Sequence, residues 1–326
     1  MSNQSNFYKN GKIIITGAAG LVGQNLVLEL VKQGYTNIIA IDKHKKNLEI
    51  LKQINPDVKT YCVDLSEALP NKIRGLFYYA PCVVILHAQI TGKNSDDFLR
   101  NNITATQNVV DVTYMGAARY IVHVSSSVVN SKADDDYTKT KKAQEQIVRS
   151  SRIPHCILRP TLMFGWFDPK HLGWLSRFME KVPVFPIPGD GRYMRQPLYE
   201  RDFCRCIIKC IEEKRASSLD DDAVYDIVGS TRIDYVDIIK SIKKAKNLRT
   251  LIVHIPVWLF SYLLKIYAIF SNKPPFTADQ LSALTAGDDF QGVDTEKVFG
   301  VKQTSFDVAI TETFTDEKYS KVVLER

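Results

Sequence analysis

The sequence predicts an α/β protein: a doubly wound parallel sheet with a smaller, interwoven C-terminal lobe that shapes the substrate site. Three observations lead there. Short β-branched runs alternate with longer amphipathic stretches through the first half, and a glycine-rich turn separates the first strand from the first helix. After Pro160 the alternation gives way to Pro- and Gly-rich segments such as 182–191. A chain of 326 residues, 45% hydrophobic and 24% charged, has the composition of a globular protein and the length for a core plus an appended lobe.

Candidate strands cover 12–16, 37–41, 58–63, 82–87, 120–125 and 155–158, six in all. Helices with apolar residues at helical spacing fit between them at 21–33, 98–115 and 137–150. Beyond lie a helix at 202–213, a strand at 224–228 and helices at 234–246 and 257–270. Residues 1–165 are assigned to the dinucleotide-type sheet, with 196–229 returning to it. Residues 166–195 and 230–326 are assigned to the substrate lobe.

A net charge of +7 suits a phosphorylated ligand without indicating nucleic acid. The basic runs Lys43, Lys45, Lys46 and Lys240, Lys243, Lys244, Lys246, Arg249 lack interleaved aromatics and read as solvated faces. Cys204, Cys206 and Cys210 lack metal-type spacing and read as core packing, so no metal site is expected. Residues 1–10 are polar, without the apolar stretch of a secretory signal, which points to the cytoplasm and reduced thiols. Residues 251–270 are strongly apolar, yet His254, Pro256, Ser261 and Lys265 interrupt them. No span is expected there, but a buried or groove-lining helix, with peripheral membrane contact as the alternative.

The turn Thr16-Gly17-Ala18-Ala19-Gly20-Leu21-Val22-Gly23 follows a strand and opens a helix. Glycines there permit a tight turn, close approach of a pyrophosphate and tight helix packing, with Leu21 and Val22 at the anion-binding helix start. Asp42 ends the second strand nineteen residues after Gly23, where a carboxylate accepts ribose hydroxyls and repels a 2′-phosphate. NAD is therefore expected in preference to NADP, although Lys43, Lys45 and Lys46 stand close enough in sequence to neutralise a 2′-phosphate.

The fifth strand delivers Ser125, Ser126 and Ser127 at its carboxyl end, where open α/β sheets place ligands. Eleven residues after Ser126 comes Tyr137, with Lys141 one helical turn further on the same face. A cation beside a phenol lowers its pKa and makes it a general base.

These motifs resemble the extended short-chain dehydrogenase/reductase family and, within it, the nucleotide-sugar epimerase/dehydratase branch. Asp64-Leu65, His87-Ala88, Asn102, Leu158-Arg159-Pro160 through Gly165, Gly189-Asp190-Gly191, Arg195-Gln196-Pro197-Leu198 and Asp202 extend the likeness. The resemblance implies that Asp64 and Leu65 contact adenine, Ala88 the pyrophosphate side of the cofactor, and Lys141 the nicotinamide ribose. Pro160 to Met163 would flank the nicotinamide, and Asn102 would either support the cofactor or pack the helix. Ser126 would hold the reacting hydroxyl, with Ser127 as the alternative, and Tyr137 would exchange its proton. Arg195, or Arg192 nearby, would grip the diphosphate of a nucleotide-diphosphate sugar. His87 reads as a strand-end packing residue, and pairing of two copies through 98–115 and 137–150 is a family expectation.

Departures narrow the chemistry. Ser127-Val128 follows Ser126 where the 4,6-dehydratases carry an Asp-Glu pair, and no cysteine partners His171 as a 3,5-epimerase requires. The expected reaction is therefore 4-epimerisation or 4-keto reduction of a nucleotide sugar. The segment 274–281 is similar to an atypical branch related to an accessory subunit of respiratory complex I, which implies dinucleotide binding without turnover as one alternative. Oxidoreduction of a non-sugar alcohol is another.

Overall fold

The computed structural model describes residues 9–325 apart from 93, 132–133, 217–221, 271–280, 282–283, 286 and 288–289. The similarity noted at 274–281 therefore lies, except for Leu281, outside the described residues. The frame is a seven-stranded, all-parallel sheet in the order β11-β6-β5-β4-β1-β2-β3. Its strands are β1 Ile13–Thr16, β2 Ile38–Asp42, β3 Lys59–Cys62, β4 Cys82–Ile85, β5 Ile121–Val124, β6 His155–Pro160 and, far along the chain, β11 Ala223–Ile227. Six of these are the expected strands, each within two residues of its predicted ends. The seventh adds to the β6 edge, pairing Ala223 with Cys156.

β1 lies between β2 and β4, and at this reversal of strand order the crevice opens above the strand ends. β1 and β4 are buried along their whole length, which explains why they read as continuous apolar runs. Helix α1 (Leu21–Lys32) packs on one face, together with α6 (Glu200–Ala216). On the other lie α3 (Ala105–Met115) and α4 (Asp136–Ser150). Helix α2 (Lys45–Ile54) follows β2, and α5 (Leu172–Lys181) begins the lobe. The helix expected over 98–115 is divided: a π-helical stretch, Leu99–Thr104, separates the turn Ser95–Phe98 from α3. Its widened turn carries Asn102, which is fully buried.

The return of 196–229 to the sheet has a packing cause. Phe203, Cys204, Ile207 and Ile211 of α6 share one core with Ile13, Leu26 and Val122. Burial pushes the Cys206 thiol up to about 12 and raises Cys204 and Cys210 well above the ordinary range, so these are inert packing groups.

A second core belongs to the lobe. Phe185 and Ile187 of β8 (Val184–Pro188) meet Ile239 and Ile242 of α7 (Tyr235–Ala245) and Ile310 of the C-terminal helix Phe306–Thr315. The assignment of all of 230–326 to the lobe needs revision, because Phe299 and Val301 join the sheet's core. Tyr319 and Leu324 lie with Leu28 of α1. At the far end, Glu325 donates its N–H to Asn47 Oδ1 at 2.9 Å, accepts from Asn47 Nδ2, and pairs with Lys46.

Residues 251–270 form β13 (Leu251–Ile255), which pairs in parallel with β8, and the helix α8 (Val257–Phe270). Of the buried or groove-lining helix expected here, burial is not met at Trp258, 72% exposed, or at Tyr262, 58%. Among the described residues no helix is long and apolar enough to cross a membrane.

Candidate active site

The glycine turn meets its structural requirements at two positions. Gly17 has φ +71°, and a Cβ there would lie 2.4 Å from the backbone nitrogen of His87. A Cβ on Gly23 would lie 2.4 Å from the Ala18 carbonyl oxygen, so this glycine lets α1 pack against its own strand. Gly20 caps α1 with its φ in the ordinary range, and Leu21 and Val22 open the helix. Their N–H groups, unpaired within the helix, face the crevice end of the sheet.

Asp42 is buried and reaches back to this turn: Oδ2 accepts from the Ala19 N–H at 3.0 Å and Oδ1 from the His44 N–H at 2.9 Å. A carboxylate has acceptor capacity beyond these two bonds, so Asp42 fits ribose hydroxyls. Lys46 is engaged by Glu325 and Lys43 by Asn101, which turns both away from the role of phosphate partner. Asp64 accepts from the Ser66 N–H and hydroxyl; burial alone would raise its pKa, but these bonds hold it below the usual range. Leu65 is buried beside it, its carbonyl accepting from Asn108.

Behind β4 a polar lattice ties the cofactor half to α4. Asn102 accepts from the Gln89 N–H at 2.6 Å and donates to the Gln89 carbonyl and to Thr140 Oγ1. Both ends of the amide thus fix the loop carrying half-buried Ala88, a positioning role. His87 bridges Thr16 and Thr106, and burial lowers its pKa to about 3, so it is a neutral packing group. Gln144 of α4 donates to Thr106 Oγ1 at 2.7 Å.

The candidate catalytic residues lie where β5 ends. Lys141 is 1% exposed, its ammonium donating to the Val124 carbonyl at 2.9 Å. Burial draws its pKa down to about 7 against the pull of Glu145. Ser126 caps the short turn Ser127–Asn130, its hydroxyl accepting from the Val128 N–H, and this turn buries Ser127. Asp135 caps α4 by accepting from the Thr138 N–H. The expected lowering of the phenol pKa is not present in the protein alone: burial raises it, the Ser126 hydroxyl opposes that, and Asp135 adds to the rise. The phenol is held protonated, the form that gives a proton.

Beyond Tyr137 the chain runs through buried Pro160 and half-buried Met163 into β7 (Met163–Phe164), paired with β10 (Leu198–Tyr199). Thr161 donates to the Gln196 carbonyl, bringing the segment after Arg195 alongside. Arg195 lies on β9 (Met194–Arg195) and donates to the Leu284 carbonyl, while Arg192 is exposed with its N–H on Asp190. Ser126 thus stands just past the end of β5, half-buried like Tyr137 on α4, with the buried Lys141 anchored to the last residue of the same strand, while the two arginines stand on and beside β9.

Sequence reasoning assigned no role to the pair formed by Glu145 and Arg159. Arg159 donates to both carboxylate oxygens, at 2.8 and 2.7 Å, and also to Asn130, whose amide donates to Asp226. The signal was there in a glutamate one turn beyond Lys141, and in an arginine at the end of the sixth strand. Among the described residues no cluster of His, Cys, Asp or Glu is arranged for a metal.

A glycine cradle at the strand-order reversal, a ribose-type carboxylate and a Ser-Tyr-Lys set define a dinucleotide-dependent enzyme of the extended short-chain dehydrogenase/reductase type. Residues 13–227 match the NAD dependent epimerase/dehydratase family, and the chain belongs to it; its cofactor is NAD. A ceramide reductase from Caulobacter vibrioides is 25% identical over 177 residues, 54% of each chain. A trifunctional UDP-glucose 4,6-dehydratase/UDP-4-keto-6-deoxy-D-glucose 3,5-epimerase/UDP-4-keto-L-rhamnose-reductase from Arabidopsis thaliana is 27% identical over 232 residues, 60% of this chain and 34% of that protein. The chain thus spans about half of one relative and a third of the other. The solved UDP-glucuronic acid 4-epimerase from Bacillus cereus, in complex with NAD, superposes with a TM-score of 0.68 at 20% identity, covering 92% of this chain and 96% of its own. At that identity it shares the fold.

Proposed function

We propose that the protein is an NAD-dependent 4-epimerase or 4-keto reductase of a nucleotide-diphosphate sugar, with Tyr137 as the acid/base. The observation that carries this reading is the buried Lys141 of α4, one turn after Tyr137, whose ammonium donates to the Val124 carbonyl at the end of β5, two residues before Ser126. Gly17, Gly20, Leu21, Val22 and Gly23 would hold the pyrophosphate of NAD, Asp42 its adenosine ribose, and Asp64 and Leu65 its adenine. Lys141, with one protein acceptor at 2.9 Å and two further N–H donors, would hold the nicotinamide ribose.

When bound, NAD supplies the hydride chemistry. The chain's own groups handle the proton. Ser126 orients the reacting oxygen, and the protonated Tyr137 donates to a keto oxygen as it becomes a hydroxyl. In the reverse direction the phenolate takes the proton back, and a charged Lys141 would favour that phenolate. Ser127-Val128 offers no carboxyl acid for water elimination, which argues against dehydration. Arg195 and Arg192 on the lobe would bind the diphosphate after Arg195 exchanges its carbonyl partner. Pairing of two copies through α3 and α4 is part of the same reading; Tyr114, 63% exposed, lies beside the groove between them.

The test is turnover of UDP-, GDP-, CDP- and dTDP-sugars by the NAD-loaded protein, read by nuclear magnetic resonance at carbon 4. Conversion of one sugar, lost in Tyr137→Phe, is the expected result. Full activity in Tyr137→Phe would overturn the mechanism, and bound NAD without turnover on any sugar would overturn the substrate class. The exposed apolar surface of α8 supports a second reading, in which the same site reduces or oxidises a lipid alcohol, as the name of the Caulobacter relative suggests.

A further inference from the structure

We propose that the β8–β13 ribbon and helix α8 form a docking surface for an anionic lipid bilayer. The ribbon is apolar on both faces. Phe185, Ile187 and Ile252 point inward to the lobe's core, as half-buried strands require. The outward positions ought to be polar, yet they hold Val184, 44% exposed, Leu251, 62%, and Val253, 41%. Val184 and Leu251 are register partners, so they form one ridge.

Only Pro256 separates this ridge from α8, whose sequence VWLFSYLLKIYAIF is apolar around nearly its whole circumference. A helix of that kind is ordinarily enclosed. Here Trp258 and Tyr262, one turn apart, face solvent with Leu263 beside them. Fourteen residues are too few to cross a bilayer, and an aromatic, exposed helix of this length suits the plane of the headgroups.

The charge around the surface selects the occupant. From Ile238 to Ala278 the sequence carries seven basic residues and no acidic one, matching the +7 of the entire chain. The strands of the ribbon run parallel, so Lys181, before β8, and Arg249, before β13, both stand at its starting end, with Lys244 at the end of α7. All three are exposed. The neighbouring acids Glu180 and Asp237 are already tied to Lys246 and Lys240. An apolar ridge edged by cations that pair with no acid among the described residues complements a membrane with anionic headgroups. A second copy of the chain would bring the same positive edge against itself.

The inference does not depend on which substrate the active site takes, and its readout is binding. The full-length protein is floated with vesicles of phosphatidylcholine alone and of phosphatidylcholine with about one-third phosphatidylglycerol. Selective flotation with the anionic vesicles is expected, together with a blue shift of tryptophan emission that disappears in Trp258→Phe. Lys244→Glu combined with Arg249→Glu should lower binding by about tenfold or more. Trp258→Ser with Tyr262→Ser should do the same, while Tyr78→Ser, an exposed aromatic elsewhere, should leave it unchanged. Absence of flotation, equal binding to both vesicle types, or equal loss in Tyr78→Ser would overturn the proposal. So would a wild-type dimer that the Trp258 and Tyr262 changes dissociate without altering vesicle binding.

Discussion

Arg159 donates twice to the Glu145 carboxylate and so clamps α4 to the sixth strand. The Glu145 side chain is 7% exposed and that of Arg159 18%, so the pair is largely withdrawn from water. Removing one partner leaves the other charge without compensation, and Glu145→Ala should cost about 2–4 kcal/mol in urea unfolding. Burial pushes the Glu145 carboxyl up, but the Arg159 bonds outweigh it and depress the pKa. A depressed carboxyl contributes stability that is complete above the unfolded value of about 4.3 and is lost as pH falls through the folded value. Glu145→Gln should therefore weaken the stability loss of the wild type in mild acid, which a melting series from pH 3 to 7 reads directly.

Lys141 gives a stability slope of the same sign, but here it is the charged form that destabilises the fold. Its amine titrates at about 7 when folded and at about 10.4 when unfolded. Between these values the unfolded chain binds more protons, so the wild type gains stability as pH rises through that window. Lys141→Met should melt higher than the wild type at pH 6, with the gap closing towards pH 10. The same substitution should lower turnover by about 10²- to 10⁴-fold. A variant that melted lower at pH 6 would contradict the buried-cation account.

Gly17→Ala and Gly23→Ala probe the cofactor turn. Each would place a methyl carbon 2.4 Å from backbone, and at Gly17 the positive φ adds strain. A loss of about 1–3 kcal/mol in stability is expected for each, with NAD affinity by calorimetry reduced about tenfold or more. Unchanged affinity would place the dinucleotide elsewhere.

Asp42→Ala tests the choice between cofactors. It removes two acceptors that hold the turn and the repulsion that disfavours a 2′-phosphate. NAD binding should weaken by about tenfold, and the ratio of NADP to NAD affinity should rise. An unaltered ratio would mean that Asp42 does not read the ribose.

Asn102→Leu should destabilise by about 2–3 kcal/mol, since it strands the Gln89 N–H and carbonyl in the interior. Because the loop it holds carries Ala88, KM for the cofactor should rise more than kcat falls.

Strand positions and the glycine turn were legible because each is encoded locally, in buried β-branched runs and in glycines whose backbone geometry nothing else allows. Ser126, Tyr137 and Lys141 are candidates that spacing along one strand end and one helix picks out. The Glu145–Arg159 clamp, the Asn102–Gln89 lattice and the turn of Leu99–Thr104 into a π-helical form depend on partners distant in the chain. Exposure of Trp258 was equally hidden, since an apolar helix has the same sequence whether the lobe encloses it or not. The phenol of Tyr137 shows the limit for electrostatics: proximity to Lys141 on a helix face is readable, but the depth of burial that raises its pKa is not.

The bonds between Glu325 and Asn47, residues 278 apart in sequence, also have a kinetic meaning. Synthesis delivers β1, α1 and β2 early, but the clasp on the helix after Asp42 waits for the 278 residues that follow Asn47. The crevice beside Asp42 thus acquires these contacts long after its first strands exist. A nascent chain should remain open to proteolysis near α2 long after its first strands have formed.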